Sequence, residues 1–171
     1  MDGTQILAYI ISILFPVAVV YAGVMDLLTL KIRNRLVLAI AICFFLAAPV
    51  FGLGLNEILF SSGIALIVLL VCFGFFAAGW IGGGDAKLAA ATALWFGSAH
   101  VLEYLVVSTL AGGLLTLALI GYRSMLLPAS FYGSAWLTKL HQSKTGVPYG
   151  AAFAIGALVV FPETVWFKAI G

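Results

Sequence analysis

Trp80-Ile81-Gly82-Gly83-Gly84-Asp85-Ala86-Lys87 interrupts a chain that is otherwise almost continuously apolar. One apolar run, Ile58 to Gly79, leads into it and another, Leu88 to Ala99, leaves it. The stretch reads as a glycine-rich turn that closes one membrane span and opens the next, and the fold follows from counting spans outward from it. Apolar runs lie roughly at Thr4 to Met25, Leu36 to Leu55, Ile58 to Gly79, Leu88 to Ala99, Val101 to Gly121 and Tyr149 to Phe167. Most approach the ~20 residues that cross a bilayer. Of the 171 residues, 64% are hydrophobic and 8% charged, with a mean hydropathy of +1.23; soluble domains carry about a quarter charged residues. The expectation is an all-α polytopic membrane protein of about six transmembrane helices, over residues 4–25, 36–55, 58–79, 88–99, 101–121 and 149–167, in a single membrane-embedded domain, 1–171. The fourth run is short and only Gly97-Ser98 separates it from the fifth, so it reads as a short, tilted or re-entrant helix.

The first run is longer than the 7–15 residue core of a removable signal peptide and only Asp2 is charged ahead of it, so it is expected to remain in the mature chain. Cys43 and Cys72 fall inside apolar runs, far from CxxC spacing, and read as packing residues. The net charge of +2 points to no nucleic-acid partner, because the basic residues are spread over short loops and form no stripe. Their placement instead orients the chain. Lys31, Arg33 and Arg35 follow the first run, Lys87 the third, and Arg123, Lys139 and Lys144 the fifth, leaving Lys168 opposite. The excess of Lys and Arg on cytoplasmic loops then puts both termini on the non-cytoplasmic side. Asp2, Glu57, Glu103 and Glu163 fall on that outer side. The long segment 122–148 mixes Phe131, Tyr132, Trp136, Leu137 and Leu140 with Lys139, His141, Gln142 and Lys144, a composition suited to a cytoplasmic interfacial loop, whether as aromatic belt or as a substrate-contacting element.

Two acids carry chemistry. Asp26 ends the first run and Asp85 follows the third; the chain between them crosses the bilayer twice, so both return to the same side at similar depth. Acids at membrane depth are costly and tend to mark functional sites, although Asp26 alone also fits a helix cap or a partner for Lys31. Glycine lets another backbone approach closely, and irregular backbone at this depth needs a protein-lined or wet setting. Two carboxylates sharing a site hold one proton between them. One then activates water while the protonated other polarises a carbonyl, which is aspartyl proteolysis. Lys87 either biases the local potential or snorkels to the headgroups.

With Gly82-Gly83-Gly84-Asp85-Ala86-Lys87 matching a GxGDxK motif, Asp26 followed by Ile32-Arg33-Asn34, and Gly146-Val147-Pro148-Tyr149-Gly150-Ala151 before the last run, the chain resembles the type IV prepilin peptidases. These are GxGD intramembrane aspartyl peptidases, and the likeness is to the short form associated with Tad/Flp pili. Arg33 stands where that family usually has proline. The resemblance implies removal of the short leader of prepilin-like precursors at the cytoplasmic boundary of the bacterial inner membrane, with the site facing the cytoplasm. It implies Asp26 and Asp85 as the catalytic pair, Gly82 and Gly84 as shaping the site, and Asn34, Lys87, Pro148 and Tyr149 as supporting residues. The paired CxxC motifs of longer relatives, which bind zinc in a domain linked to N-methylation, have no counterpart in the sequence. No metal and no cofactor is expected: an aspartyl mechanism needs none, and the two histidines, His100 and His141, fall on opposite sides. The expected partners are a precursor protein and the lipid bilayer.

Two other classes compete. A small proton-coupled transporter or channel subunit also uses membrane carboxylates, but Glu57, Glu103 and Glu163 belong to the opposite surface and provide no path across. A noncatalytic assembly factor, with Gly112-Gly113 and Gly150 to Gly156 as close contacts, leaves the acid pair unexplained.

Overall fold

The computed structural model describes residues 3–125, 135–142 and 146–168. Asp2, Phe131, Tyr132 and Lys144 lie outside the described residues. Every regular element described is helical. Helix α1 is Gly3–Thr29, α2 Asn34–Val50 and α3 Leu55–Ala77. A 42-residue helical stretch, Gly83–Ser124, follows. It is broken at Gly97, which takes φ 52° and ψ −155°, backbone angles essentially reserved for glycine. Phe96 and Tyr104 stack with ring centroids 4.8 Å apart, whereas eight residues of straight helix span about 12 Å. The chain therefore folds back at Gly97, and the two arms are α4 (83–96) and α5 (98–124). Helix α6 is Ala135–His141, α7 Tyr149–Val160 and, after a 3₁₀ turn at Phe161–Glu163, α8 is Val165–Lys168.

Three stretches, Gln5–Thr29, Leu55–Ala77 and Gly83–Ser124, are long and apolar enough to cross a membrane, and Asn34–Val50 and Tyr149–Glu163 are shorter apolar helices. Leu46, Leu102 and Leu114 are each about two-thirds exposed or more, a surface that water would penalise and lipid accepts. The chain is an all-helical polytopic membrane protein.

The arm α4 is short, about 21 Å at 1.5 Å per residue, against a hydrocarbon layer of ~30 Å. Aromatic rings pack beyond its end, beside a cavity of about 310 Å³. Trp95 stacks on Phe15 at 4.4 Å and meets Trp166 at 4.8 Å, while Phe51 closes on Trp166 at 4.9 Å. The run expected as one helix over 149–167 is broken to make this possible. Pro162 has no N–H to continue a ladder, Thr164 Oγ1 donates to the Phe161 carbonyl, and the reset chain turns Trp166 inward to 1% exposure. Its indole N–H donates to the Trp95 carbonyl, one of the carbonyls that a helix end leaves without a partner. Ser12 Oγ donates to the Trp166 carbonyl at 2.6 Å, and the Trp95 indole donates to Ile40 at 3.2 Å. α1, α2, α4 and α8 are thereby tied at one end.

At the opposite end α1 runs past Met25 and stops at Thr29, with Leu30 at φ 56°, a left-handed conformation that costs a non-glycine residue roughly 1–2 kcal/mol. The last carbonyls of α1 are satisfied from α6: the Trp136 indole donates to Leu27 at 2.8 Å and Lys139 Nζ to Thr29 at 3.1 Å. Arg123 Nε, near the end of α5, donates to Leu140 at 2.9 Å. Within segment 122–148, α6 thus bridges the ends of α1 and α5.

Candidate active site

Asp26 sits one turn before the end of α1, and Asp85 is the third residue of α4. Both are buried, at 4% and 5% exposure, and their carboxyl groups face each other at side-chain hydrogen-bonding range. Residues 59 positions apart meet because α2 and α3 carry the chain away and back. Each carboxylate is held by a backbone N–H at a helix start. Asp26 Oδ2 accepts from Gly150 in the first turn of α7 at 2.8 Å, and Asp85 Oδ2 accepts from Gly82 at the head of α4 at 3.0 Å. The partial positive charge of a helix N-terminus favours a carboxylate in both places. Asp85 Oδ1 is buried and accepts from no fixed donor among the described residues. Such an oxygen is costly unless a neighbouring carboxyl shares a proton with it, and Asp26 is that neighbour.

Three glycines set this geometry by close approach. A Cβ on Gly150 would stand 2.8 Å from Asp26 Cβ and 2.9 Å from Ile32 Cδ1. On Gly84 it would be 3.2 Å from Ile32 Cβ, and on Gly82 2.8 Å from Asp85 Oδ2. Ile32, in the short loop 30–33 between α1 and α2, is therefore wedged between the starts of α4 and α7. The bare side of Gly84 is occupied by the chain's own Ile32. Close approach beside Asp85 is thus used first for internal packing.

Of the other sequence candidates, Lys87 and Asn34 are brought together: Lys87 Nζ donates to Asn34 Oδ1 at 3.1 Å. Both are exposed, and the contact braces the head of α4 against that of α2 beside the acids. Pro148 is buried and precedes α7, where the fixed φ of proline suits a helix start. Tyr149 packs its ring against Gly112, a Cβ on which would meet the ring at 3.1 Å, and its hydroxyl lies 3.3 Å from Thr116 Oγ1. These two residues fix where α7 begins and so where the Gly150 N–H points. Arg33 has φ −73° and ψ 129°, inside the range of a proline ring, so the turn keeps proline-like geometry with arginine in place.

Gly150 and Ile32 are the contributors that residue-level reasoning passed over. The available signal was a glycine directly after Pro148-Tyr149, in the first turn of a helix where a bare N–H is free to be captured.

A family model described as the type IV leader peptidase family matches residues 13–117. The match takes in Asp26, Asn34 and the Gly82 to Lys87 stretch, and ends before α7. Neither the comparison with curated proteins nor that with solved structures returned a match.

Proposed function

The chain belongs to the type IV leader peptidase family, and from that premise we propose that it is an aspartyl endopeptidase. In this reading it removes the short leader of prepilin-like, Flp-type precursors at the cytoplasmic boundary of the bacterial inner membrane, with Asp26 and Asp85 as its catalytic pair. The observation that carries the reading is the meeting of two buried carboxyl groups from α1 and α4.

Two carboxyl groups in hydrogen-bonding contact require a proton between them. The ionised member takes a proton from a water molecule as the water oxygen attacks the scissile carbonyl carbon. The protonated member donates to the carbonyl oxygen, giving a neutral tetrahedral diol. In the second half the protonated carboxyl gives its proton to the amide nitrogen, the ionised carboxylate takes one from a diol hydroxyl, and the C–N bond breaks. The leader leaves as a carboxylic acid and the shortened precursor as an amine, one water having been consumed. The Gly150 and Gly82 N–H groups keep the two carboxylates in register throughout, and the preorganised geometry supplies much of the acceleration. Helical peptide bonds are shielded by their own hydrogen bonds, so the bond cut lies in extended chain, at the junction between leader and apolar helix. The basic residues near the acids, Lys31, Arg33, Arg35 and Lys87, support assigning this end to the cytoplasm.

The experiment is coexpression with a candidate prepilin and measurement of leader removal by wild type, Asp26→Asn and Asp85→Asn. Loss of on the order of 10³-fold or more is expected from each, since the two acids act as a unit. Near-normal cleavage by either variant overturns the two-aspartate mechanism. Reporter fusions after Arg35 and after Lys144 test the orientation separately, and both should read cytoplasmic.

A further inference from the structure

A groove of about 500 Å³ opens sideways from the bundle between α3 and α5, with α7 as its floor. Val71 and Phe75 form one wall, Leu105 and Gly113 the other, Phe153 the floor, and Ile81 closes the end. Along α3 it extends from Ile67 to Phe75, a rise of about 12 Å of helix, roughly two turns.

The position of the groove identifies its occupant. Ile81 is the chain neighbour of Gly82, and Tyr149, which also lines the groove, is the neighbour of Gly150. These are the two glycines whose N–H groups hold the carboxylates. One end of this apolar groove therefore lies beside the two glycines that hold the acids, although neither acid lines it. Gly112 and Gly113 lie side by side on α5, and small residues are what allow one membrane helix to approach another closely. A Cβ on Gly113 would meet nothing within 4 Å, so its bare face is open space rather than packing inside the protein.

We infer that this groove docks the first two turns of the precursor's apolar helix, immediately after the bond that is cut; the inference rests on the leader-peptidase reading above. Docking there delivers the extended junction to Asp26 and Asp85 and holds the helix in the bilayer while the leader stays outside it.

Gly113→Leu fills the groove at a position with room for the side chain, and Gly121→Leu, on the same helix but outside the groove and equally unobstructed, is the control. With a candidate precursor reconstituted beside the enzyme in liposomes, Gly113→Leu should raise the KM for leader removal about tenfold or more, the scale of one lost apolar side-chain contact, and Gly121→Leu should not. A photo-crosslinker at Val71 in the Asp85→Asn background should capture the first turns of the precursor helix. The same probe at Leu66, on the opposite side of α3, should capture lipid. Unchanged cleavage by Gly113→Leu, or capture of lipid alone from Val71, overturns the docking site while leaving the peptidase reading intact. A wild-type enzyme that leaves the precursor uncut overturns the peptidase reading itself.

Discussion

The two ends of the bundle are built on opposite principles. Around the reversal at Gly97, large rings interlock: Trp95, Trp166, Phe15, Phe44 and Phe51 pack ring on ring beyond the short α4, beside a cavity of about 310 Å³, and both indole N–H groups have backbone acceptors. Around Asp26 and Asp85, Gly82, Gly84 and Gly150 make close contacts with Ile32 and with the acids themselves, and one buried carboxylate oxygen accepts from no fixed donor among the described residues. Ring packing with satisfied polar groups is how a core gains rigidity. Contact through glycines instead brings backbone N–H groups and buried carboxylates together, at a cost in local stability that functional sites commonly carry. One end holds the fold, and the other is where we propose the chemistry.

Substitutions at the two ends should therefore separate activity from stability. The largest effect belongs to the acids. Asp26→Asn or Asp85→Asn should reduce leader removal by on the order of 10³-fold or more while thermal unfolding in detergent stays close to wild type, because an amide fills the same volume. A large fall in melting temperature instead would assign the pair to folding. Next is Gly150→Ala, whose methyl group would stand 2.8 Å from Asp26 Cβ. Displacing the start of α7 misaligns a carboxylate, and cleavage should fall by roughly 10²-fold, read in kcat at saturating precursor.

At the aromatic end the sign of the comparison reverses. Trp166→Phe removes the indole donor to the Trp95 carbonyl and leaves a helix-end carbonyl without its partner, so unfolding should become easier by about 1–2 kcal/mol. Cleavage measured well below the melting range should be unchanged; a parallel loss of activity would mean that the two ends are coupled through α4. The smallest effect is expected at Arg33→Pro. The backbone there already has φ −73°, so a proline ring fits without strain and should stabilise by about 0.4–1 kcal/mol through the unfolded chain, with no change in cleavage rate. A loss of activity would show that the Arg33 side chain, not the turn, matters at the site.

Asp26 and Asp85 were legible as a pair because apolar length reports crossings and crossings determine side. Gly82 and Gly84 were legible as a place of close approach, but the partner was not: Ile32, expected only as part of a turn, fills the bare side of Gly84. Lys87 and Asn34 were each visible as candidates, and their hydrogen bond to one another was not. The break at Pro162 and the inward turn of Trp166 were hidden inside an apolar run, since hydropathy does not distinguish a side chain facing lipid from one facing the core.

By itself, then, the sequence determined the class of fold, the return of both acids to one end and the glycine-rich approach beside one of them. The physical reason is that a chain in lipid must satisfy its backbone hydrogen bonds locally, so a run of apolar residues has one structural meaning. Only the tertiary structure decided that Gly150 holds Asp26, that Ile32 spaces the heads of α4 and α7, and that aromatic rings close the opposite end. Those contacts depend on how each helix is rotated and how deeply it packs, and van der Waals fit between distant residues sets both.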